Sequence, residues 1–463
     1  MIDLAPSWLK EVAIDLFGTN DKLALLIGIG VLLTVYAVVV GYVALRKRLL
    51  LGALGIAAFG AVGMAAALAS GRGLLAAVPS LVGMVAGIGA LVALVRRPSS
   101  GSSVGYSESR RQVLVGVGAA VAVAGVTGVA GRLLAQRFDV SSAIESGSLP
   151  PVPRPISPPA EAASLESDGL SPLLTPNEDF YRIDTALSVP QISPDDYQLR
   201  IFGMVDRELN LSYSDILART QVESYITLTC VSNEVGGRLV GNAKWQGVRL
   251  DDLLAEAGIQ DGATQIVGRS IDDYTCGFPT TAAMDGRDAL VAVGMNGEPL
   301  PLEHGFPVRL VVPGLYGYVS ATKWLTEIEV TTFDAFDHYW ERRGWAEEAP
   351  IKTQSRIDTP SALAQLPTGE TVIAGVAWAQ TRGIERVEVS IDDGPWHDAE
   401  LADAINDTTW RQWRLPWDVS PGRHSITCRA TDSTGQTQPE ERARPIPDGA
   451  TGWHSVVVMG NEA

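Results

Sequence analysis

Four long apolar runs in the first 138 residues constrain the fold of this chain more than any other feature. None contains a charged side chain, and they cover residues 23–45, 49–71, 74–95 and 113–131. An α-helix rises ~1.5 Å per residue, so each run is long enough to cross a hydrocarbon layer of ~30 Å. The third run has Gly83 and Gly87 at a spacing that lets two helices approach closely. Residues 1–138 are therefore predicted to form a membrane module of four transmembrane helices.

Basic residues beside these runs predict the orientation of the module. They lie between the first and second runs and between the third and fourth, at Arg46, Lys47, Arg48, Arg96, Arg97, Arg110 and Arg111. Because loops rich in Lys and Arg stay in the cytoplasm, the N-terminus and everything after residue 132 are expected outside. The chain is thus predicted to be a multi-pass protein of the cell membrane, with its C-terminal domains extracytoplasmic.

The segment SRRQVLV (109–115) precedes the fourth run. With Arg110 and Arg111 as its pair and a Gly- and Ala-rich stretch after them, it resembles a twin-arginine export signal. Such export carries folded proteins and suits a domain that receives a cofactor in the cytoplasm. The alternative is a pair of stop-transfer arginines. No small-x-small cleavage site follows, so the segment is expected to remain as an anchor.

Charge differs sharply between the two parts of the chain. Residues 1–138 carry 12 Lys and Arg against 5 Asp and Glu, a net of +7, and the whole chain carries −17, which leaves −24 for residues 139–463. This negative charge argues against nucleic acid and anionic lipid as partners of the exported part. The five histidines all lie beyond the module, so haem held by two histidines within the bilayer is excluded.

The remainder divides into a linker and two domains. Residues 139–175 include the proline-dense LPPVPRPISPP, which predicts a semi-rigid, extended spacer without a fold of its own. Residues 176–349 alternate short β-rich runs with brief helical segments, which is typical of an α+β domain. Residues 350–463 are β-rich, with a hairpin signal at Asp393-Gly394, and predict an immunoglobulin-type β-sandwich with Trp in its core. The fold class is thus multi-domain: transmembrane α-helices, an α+β domain and a C-terminal β-sandwich.

Cys230 ends a β-rich run in TLTCVSNEVGG (227–237). A thiol at the end of an apolar strand, before a Gly-Gly turn, is placed to face a cleft. For an arbitrary cysteine, the more common alternative is a buried side chain that acts as a small hydrophobe. Cys276 and Cys428 lie at no Cys-x-x-Cys spacing from it, so no disulfide framework is expected.

Several motifs across residues 175–460 resemble, in order, those of the sulfite oxidase-like molybdopterin oxidoreductases. They are FYRID (180–184), TLTCVSNEVGG, NAKWQGVRLDDLL (242–254), HGFPVRLVVPGLYGYVSATKW (304–324) and, in the last domain, IAGVAWA, VEVSIDDG and RATDSTGQTQPE. The resemblance implies an α+β molybdopterin domain and a molybdenum cofactor to which Cys230 is the thiolate metal ligand. A soft thiolate suits such a metal, and coordination deprotonates it.

The resemblance also implies which residues bind the cofactor. A pterin phosphate needs backbone N–H groups and fixed cations, and the motif at 304–324 offers both. By similarity the cofactor-binding residues are Tyr181, Arg182, Cys230, Asn233, His304, Arg309, Ser320, Thr322 and Lys323. Taken alone, Arg309 and Lys323 have simple alternatives, a surface arginine on a strand and a solvated lysine.

Two acidic residues depart from the family pattern. Asp184 stands where a basic partner is expected, and Glu234 stands where the sulfite oxidases carry basic residues. Together with Cys230 and Arg182 they form the predicted catalytic set. Carboxylates near the metal would disfavour a dianion such as sulfite. A sulfoxide or an N-oxide is therefore an equal candidate for the substrate.

The predicted function is oxygen-atom transfer by a membrane-anchored, extracytoplasmic molybdenum oxidoreductase, as sulfite-type oxidation or as sulfoxide or N-oxide reduction. Electrons are expected to pass to or from a separate cytochrome or quinone-linked carrier, since no haem or iron–sulfur motif is present. The last domain resembles the dimerisation domain of the family, which implies a homodimer. The alternative from another class is a non-catalytic, membrane-tethered binding or sensor protein that retains the fold without cofactor.

Overall fold

The computed structural model describes residues 21–46, 48–69, 77–95, 140–186 and 189–461. The chain divides into two compact units, Met1–Leu134 and Ala135–Ala463. Apolar helices make up the described part of the first unit, whereas the second unit is built mainly from β-sheets.

The described helices of the first unit are α1 (Asp21–Leu45), α2 (Leu49–Ala69) and α3 (Val78–Val95). Two apolar stretches, Ile27–Leu45 and Leu49–Leu68, are long and apolar enough to cross a membrane by length and composition. The third, Val78–Val92, is shorter. The predicted fourth span at 113–131, with its arginine pair, lies outside the described residues.

Small residues let α2 and α3 approach closely. A side chain at Gly60 would collide with Met84, because its Cβ would lie 2.7 Å from the methionine Cβ. Gly87 faces Ile56 in the same helix contact, where a Cβ at Gly87 would lie 3.2 Å from Ile56 Cγ2. Gly83 makes no such contact within 4 Å among the described atoms, so one glycine of the predicted pair lies at this helix contact.

Residues 140–175 belong to the second unit and pack against its sheets. They form α4 (Ser141–Ser146) and then run over the sheets, with Ala163 buried. Gln246 Nε2 donates to Pro150 O at 2.8 Å, and Leu165 N donates to Gln412 Oε1 at 2.7 Å. The prediction of an extended spacer without a fold of its own is corrected for this stretch, because its polar backbone groups form hydrogen bonds with residues of the sheets.

The α+β part of the second unit contains two sheets. Its strands are β1 (Gln198–Gly203), β2 (Leu209–Ser212), β3 (Val222–Thr229), β4 (Val240–Arg249), β5 (Gln265–Ser270), β6 (Thr275–Pro279), β7 (Leu290–Met295), β8 (Glu298–Pro299), β9 (Arg309–Val311) and β10 (Leu325–Thr331). One sheet has the order β2-β1-β10-β5-β6, and the other has the order β3-β4-β7-β8 with β9 also paired to β7. Only the β1–β10 pair is parallel among these described pairings.

Short helices connect these strands: α5 (Tyr213–Ala218), α6 (Leu250–Ala257), α7 (Thr280–Met284) and α8 (Gly317–Ser320). The sequence of α6 explains its structure. Leu250, Leu253, Leu254 and Ala257 recur at helical spacing and are all buried. The helix ends at Gly258, whose φ of +74° suits a residue without a Cβ.

The last part of the second unit is a β-sandwich, as predicted. Its strands are β11 (Gln354–Thr359), β12 (Gln365–Pro367), β13 (Gly369–Trp378), β14 (Ile384–Ile391), β15 (Trp396–Asp398), β16 (Glu400–Leu401), β17 (Arg411–Val419), β18 (Gly422–Asp432) and β19 (His454–Asn461). They form sheets β11-β13-β17-β16 and β12-β19-β18-β14-β15. Trp413 lies fully buried in the core between them. The predicted hairpin joins β14 to β15, with positive φ at Asp392 and Asp393.

One hydrophobic core extends from the α+β part into the sandwich. Trp378 and Trp410 of the sandwich belong to the same buried cluster as Leu310 and Val319. The predicted domain boundary at 349/350 falls within this shared core, where Ala349 is fully buried. The two parts are therefore held against each other by apolar burial as well as by hydrogen bonds.

Candidate active site

Cys230 directly follows β3 and lines a cavity in the second unit. Its side chain is buried, and its N–H donates to Leu239 O at 2.9 Å. Burial raises the pKa of the thiol, while hydrogen bonds with Ser232 act in the opposite direction. The thiol is therefore protonated at neutral pH in the cofactor-free chain, and a soft metal would bind it by displacing the proton.

Asn233 shapes the turn that follows Cys230. Its N–H donates to Cys230 O at 3.0 Å, and its Oδ1 accepts from Leu239 N at 2.8 Å. Its Nδ2 is buried without a hydrogen-bond partner within the described part of the chain. Asn233 is not among the residues that line the cavity, and its hydrogen bonds to Cys230 and Leu239 hold the turn.

Glu234 lies away from the cavity. It is exposed and borders a separate surface depression with Val235, Arg442 and Arg444. Its expected position near the metal is corrected, because its exposed side chain borders that depression and is not among the residues that line the cavity. One of the two acidic departures therefore has no direct effect on the charge of the cavity.

Arg309 begins β9 and brings a positive charge into the cavity wall. It is 4% exposed, its Nη1 donates to His304 O at 3.0 Å, and its guanidinium lies 4.8 Å from the Trp245 ring. Burial lowers its pKa to about 10, so it remains charged at neutral pH. Its Nε has no partner among the described residues. A buried guanidinium with an unused donor is suited to binding an anionic group such as a phosphate.

His304 lines the same cavity, just before this strand. Its Nε2 lies 2.9 Å from Asn177 O, and its ring meets Phe180 edge to face. Burial, followed by the charge of Arg309, lowers the pKa of His304 to about 4. The ring is thus neutral at pH 7, and its Nε2–H donates to the carbonyl, which leaves Nδ1 as an acceptor.

Lys323, Asp184 and Arg182 form an ion-pair cluster beside the cavity. Lys323 Nζ and Arg182 Nε each lie 2.7 Å from an oxygen of Asp184. Burial lowers the pKa of Lys323 to about 8 against the opposing effect of Asp184. Burial alone would raise the pKa of Asp184, but the two cations outweigh it and hold that pKa below its usual value. Asp184 and Lys323 line the cavity, whereas Arg182 is partly exposed and contacts it through Asp184.

Ser320 and Thr322 are fully buried, and their side chains bond elsewhere. Ser320 Oγ donates to Leu315 O and Tyr316 O, at 3.2 and 3.1 Å, within its own turn. Thr322 Oγ1 lies 2.9 Å from Cys276 Sγ. Neither residue lines the cavity, so any cofactor contact made by Ser320 or Thr322 would come from the backbone.

Aromatic side chains form much of the wall of this cavity, which has a volume of about 120 Å³. Tyr181 is among them, and burial raises its pKa. The sequence motifs assigned no role to the other aromatic residues of the wall, which are Phe180, Tyr274, Tyr318, Trp324, Trp340 and Trp345. The aromatic-rich HYWERRGW (338–345) was the available signal for the last two. The cavity has the apolar lining and the few convergent polar groups of a small-molecule site.

Comparisons with known proteins identify the family. The family model "oxidoreductase molybdopterin binding domain" matches residues 186–340, and "Mo-co oxidoreductase dimerisation domain" matches residues 347–460. Sulfite oxidase of Gallus gallus is 31% identical over 336 residues, which cover 61% of this chain and 72% of the chicken protein. This chain belongs to the sulfite oxidase-like molybdopterin oxidoreductases.

Two further relatives of this sulfite oxidase-like chain extend the comparison. Mitochondrial sulfite oxidase of Rattus norvegicus is 32% identical over 340 residues, and the chain spans 61% of its length. Sulfane dehydrogenase SoxCD from Paracoccus pantotrophus aligns with a TM-score of 0.55 at 24% identity, covering 65% of this chain and 86% of that one. The latter supports the fold alone.

The cofactor of the family fits the residues present. A buried thiol at Cys230 offers the soft ligand, and Arg309 offers an unsatisfied cationic donor in the same cavity. The family comparisons confirm the predicted molybdopterin cofactor and the oxidoreductase class for this sulfite oxidase-like chain. The roles of the individual residues remain predictions.

Proposed function

We propose that the second unit catalyses oxygen-atom transfer to or from a small substrate, outside a cell membrane to which the first unit anchors it. One observation carries the proposal: the Cys230 thiol and the Arg309 guanidinium line a single cavity, and both are buried. A buried cation without an acidic partner is unfavourable in a protein interior unless an anion joins it. A cofactor with an anionic tail and a thiolate-binding metal would satisfy both groups.

Each side chain has a distinct part in this proposal. When bound, the molybdenum cofactor supplies a metal that changes oxidation state by two electrons as an oxygen atom is transferred. Cys230 would hold that metal through its thiolate, and Arg309 would bind an anionic group of the cofactor with its free Nε. Tyr181 and the neutral His304 would orient the cofactor, and both are held by Phe180, whose ring stacks on Tyr181 and meets His304 edge to face.

The surrounding aromatic walls would limit the access of water. Tyr274 Oη donates to Tyr318 O at 2.7 Å, which fixes one ring at the wall with its polar end satisfied. Trp340 and Trp345 meet at 6.2 Å, nearly perpendicular, and both are only partly buried. A rigid apolar wall strengthens the electrostatic interactions inside the cavity.

Charge at the Asp184 cluster bears on the substrate. Asp184 already pairs with both Lys323 and Arg182, so its carboxylate offsets one of their two positive charges before any substrate enters. A dianion such as sulfite would have to compete with a buried carboxylate for them. We therefore place an uncharged sulfoxide or N-oxide beside sulfite as the substrate class, with the aromatic walls favouring the uncharged compound.

The proposed partners follow from charge and family. The net charge of −24 beyond residue 138 suits docking of a basic cytochrome as electron carrier, which would weaken with salt. The dimerisation-domain match supports a homodimer through the sandwich. Anchoring rests on the two apolar helices α1 and α2, with the twin-arginine-like segment as the proposed export signal.

The test is the molybdenum and pterin content of the purified full chain, beside Cys230→Ala. Protein from a host that makes molybdopterin should contain both in amounts equal to the chain, and the variant should lose molybdenum. The loaded protein is then assayed with sulfite, sulfoxides and N-oxides. Absence of metal and pterin from such protein would refute the enzyme and favour a tethered binding or sensor protein.

A further inference from the structure

The strand that carries Cys230 is incomplete without the β-sandwich. In its own sheet β3 pairs with β4 on one side only, since the order is β3-β4-β7-β8. Its other edge is bonded by the sandwich: Thr227 N donates to Thr408 O at 3.0 Å, and Thr227 O accepts from Gln380 Nε2 at 3.1 Å. Thr408 Oγ1 donates to Tyr225 O at 3.0 Å. The bonded residues alternate, as expected for one edge of a strand.

Gln380 contacts the residue that precedes Cys230. It is fully buried, and its Nε2 also lies 3.4 Å from Thr229 Oγ1, one residue before Cys230. The backbone N–H of Trp410 donates to Thr227 Oγ1 at 2.8 Å. Polar groups of Thr227 and Thr229, at the end of β3, are therefore hydrogen-bonded by the sandwich. If a sandwich donor were removed from this contact, a buried polar group of β3 would lose a hydrogen-bond partner.

The loop after Cys230 is held by the same domain. Arg356 is buried, and its Nη1 donates to Gly237 O at 2.9 Å. Its Nε pairs with Asp358 at 2.5 Å, so its charge is compensated within β11. Gly236 lies so close to His454 that a Cβ there would sit 2.3 Å from the ring. The loop thus rests on the sandwich at two consecutive residues.

We propose that the β-sandwich positions the Cys230 thiol, with Gln380 and Arg356 as positioning residues that hold the strand before it and the loop after it. Neither residue is among those that line the cavity. The thiol is held because the strand before it and the loop after it are both bonded to the sandwich. The consequence for a bound metal rests on the proposed function, but the positioning itself is a property of the chain alone.

Thiol reactivity tests this without cofactor. Cys276 and Cys428 are fully buried, whereas Cys230 retains 7% exposure, so Cys230 reports local opening and the other two report global unfolding. The full chain is purified from a host that cannot make molybdopterin and is treated with an alkylating reagent. Labelling of each cysteine is followed over time by peptide mass spectrometry. The variants are Gln380→Met, which removes the donor at similar side-chain length, and Arg356→Met, which removes the guanidinium and leaves a shorter side chain.

The matched control is Gln354→Met. Gln354 is also buried in the sandwich, and its Nε2 donates to Ala450 O at 2.6 Å, within the same domain. We expect Gln380→Met and Arg356→Met to raise the labelling rate of Cys230 about tenfold, because an unpaired buried group promotes local opening. Cys276 and Cys428 should stay unlabelled, and Gln354→Met should label as the wild type does.

Three results would overturn the proposal: an unchanged Cys230 rate in both variants, an equal increase in Gln354→Met, or simultaneous labelling of all three cysteines. If Gln380→Met does not fold, Thr408→Val decides, since it removes one donor to β3 and keeps the backbone bond to Thr227. Absence of molybdenum from the cofactor-competent protein would refute the proposed function and leave this result standing.

Discussion

Replacing Asp184 by asparagine tests the charge balance beside the cavity. The side chains of Asp184 and Lys323 are 3% and 11% exposed, so their ion pair is poorly screened by solvent. Breaking a buried pair by removing one partner costs about 3–5 kcal/mol. Asparagine still accepts a hydrogen bond, and Lys323 Nζ keeps Glu303 O at 3.2 Å, so about 2–3 kcal/mol of unfolding free energy should be lost at neutral pH.

The pH dependence separates charge from hydrogen bonding. Burial would raise the Asp184 pKa, but Lys323 and Arg182 hold it below its usual 3.8. The contribution of Asp184 is thus complete above that value and disappears as pH falls through the lower folded-state pKa. Burial lowers the Lys323 pKa from 10.5 to about 8, so the folded protein loses this positive charge above about pH 8. The stability difference between wild type and Asp184→Asn should therefore be greatest between about pH 5 and 8 and shrink on both sides.

The measurement is urea unfolding of the detergent-solubilised full chain, followed by tryptophan fluorescence at about pH 3, 6.5 and 9. Glu208→Gln is the control, because Glu208 pairs with Arg200 at 2.9 Å on the surface, where an ion pair contributes little. A difference that does not vary with pH would show that Asp184 acts through hydrogen bonding alone. No difference at pH 6.5 would refute the argument that the pair is buried.

Three other substitutions or measurements probe the same site. Arg309→Met should leave the purified protein with little releasable pterin, whereas Arg309→Lys should retain part of it; full occupancy in both would exclude Arg309 from cofactor binding. Alkylation of Cys230 in the cofactor-free chain should still accelerate above pH 9.0, because burial raises the thiol pKa; a plateau below that pH would contradict this. Gly236→Ala should cost about 1–3 kcal/mol of unfolding free energy, since Gly236 combines a φ of +79° with the contact to His454. Gly262→Ala, at a φ of +87° with open space around it, is the control, and an equal loss in both urea midpoints would mean that the contact is unimportant.

Much of the site was predictable because its residues occur in short motifs. Cys230, His304, Arg309 and Lys323 were each identified from such a motif, and all four line one cavity. The prediction was less successful where the direction of a side chain matters. Ser320 lies in the loop that the motif identified, but its side chain does not line the cavity. Its hydroxyl instead donates to backbone carbonyls of its own turn.

The sequence by itself determined the features that depend on neighbouring residues: the apolar runs of the first unit, the order of the domains, and the β-rich pattern of the sandwich. These follow from local hydrophobic periodicity and turn residues. Only the tertiary structure decided which distant groups meet. Asp184 compensates Lys323 across 139 positions, and Gln380 completes the strand of Cys230 across 153. Such pairings depend on how the sheets and the sandwich pack together, and no local pattern encodes that packing.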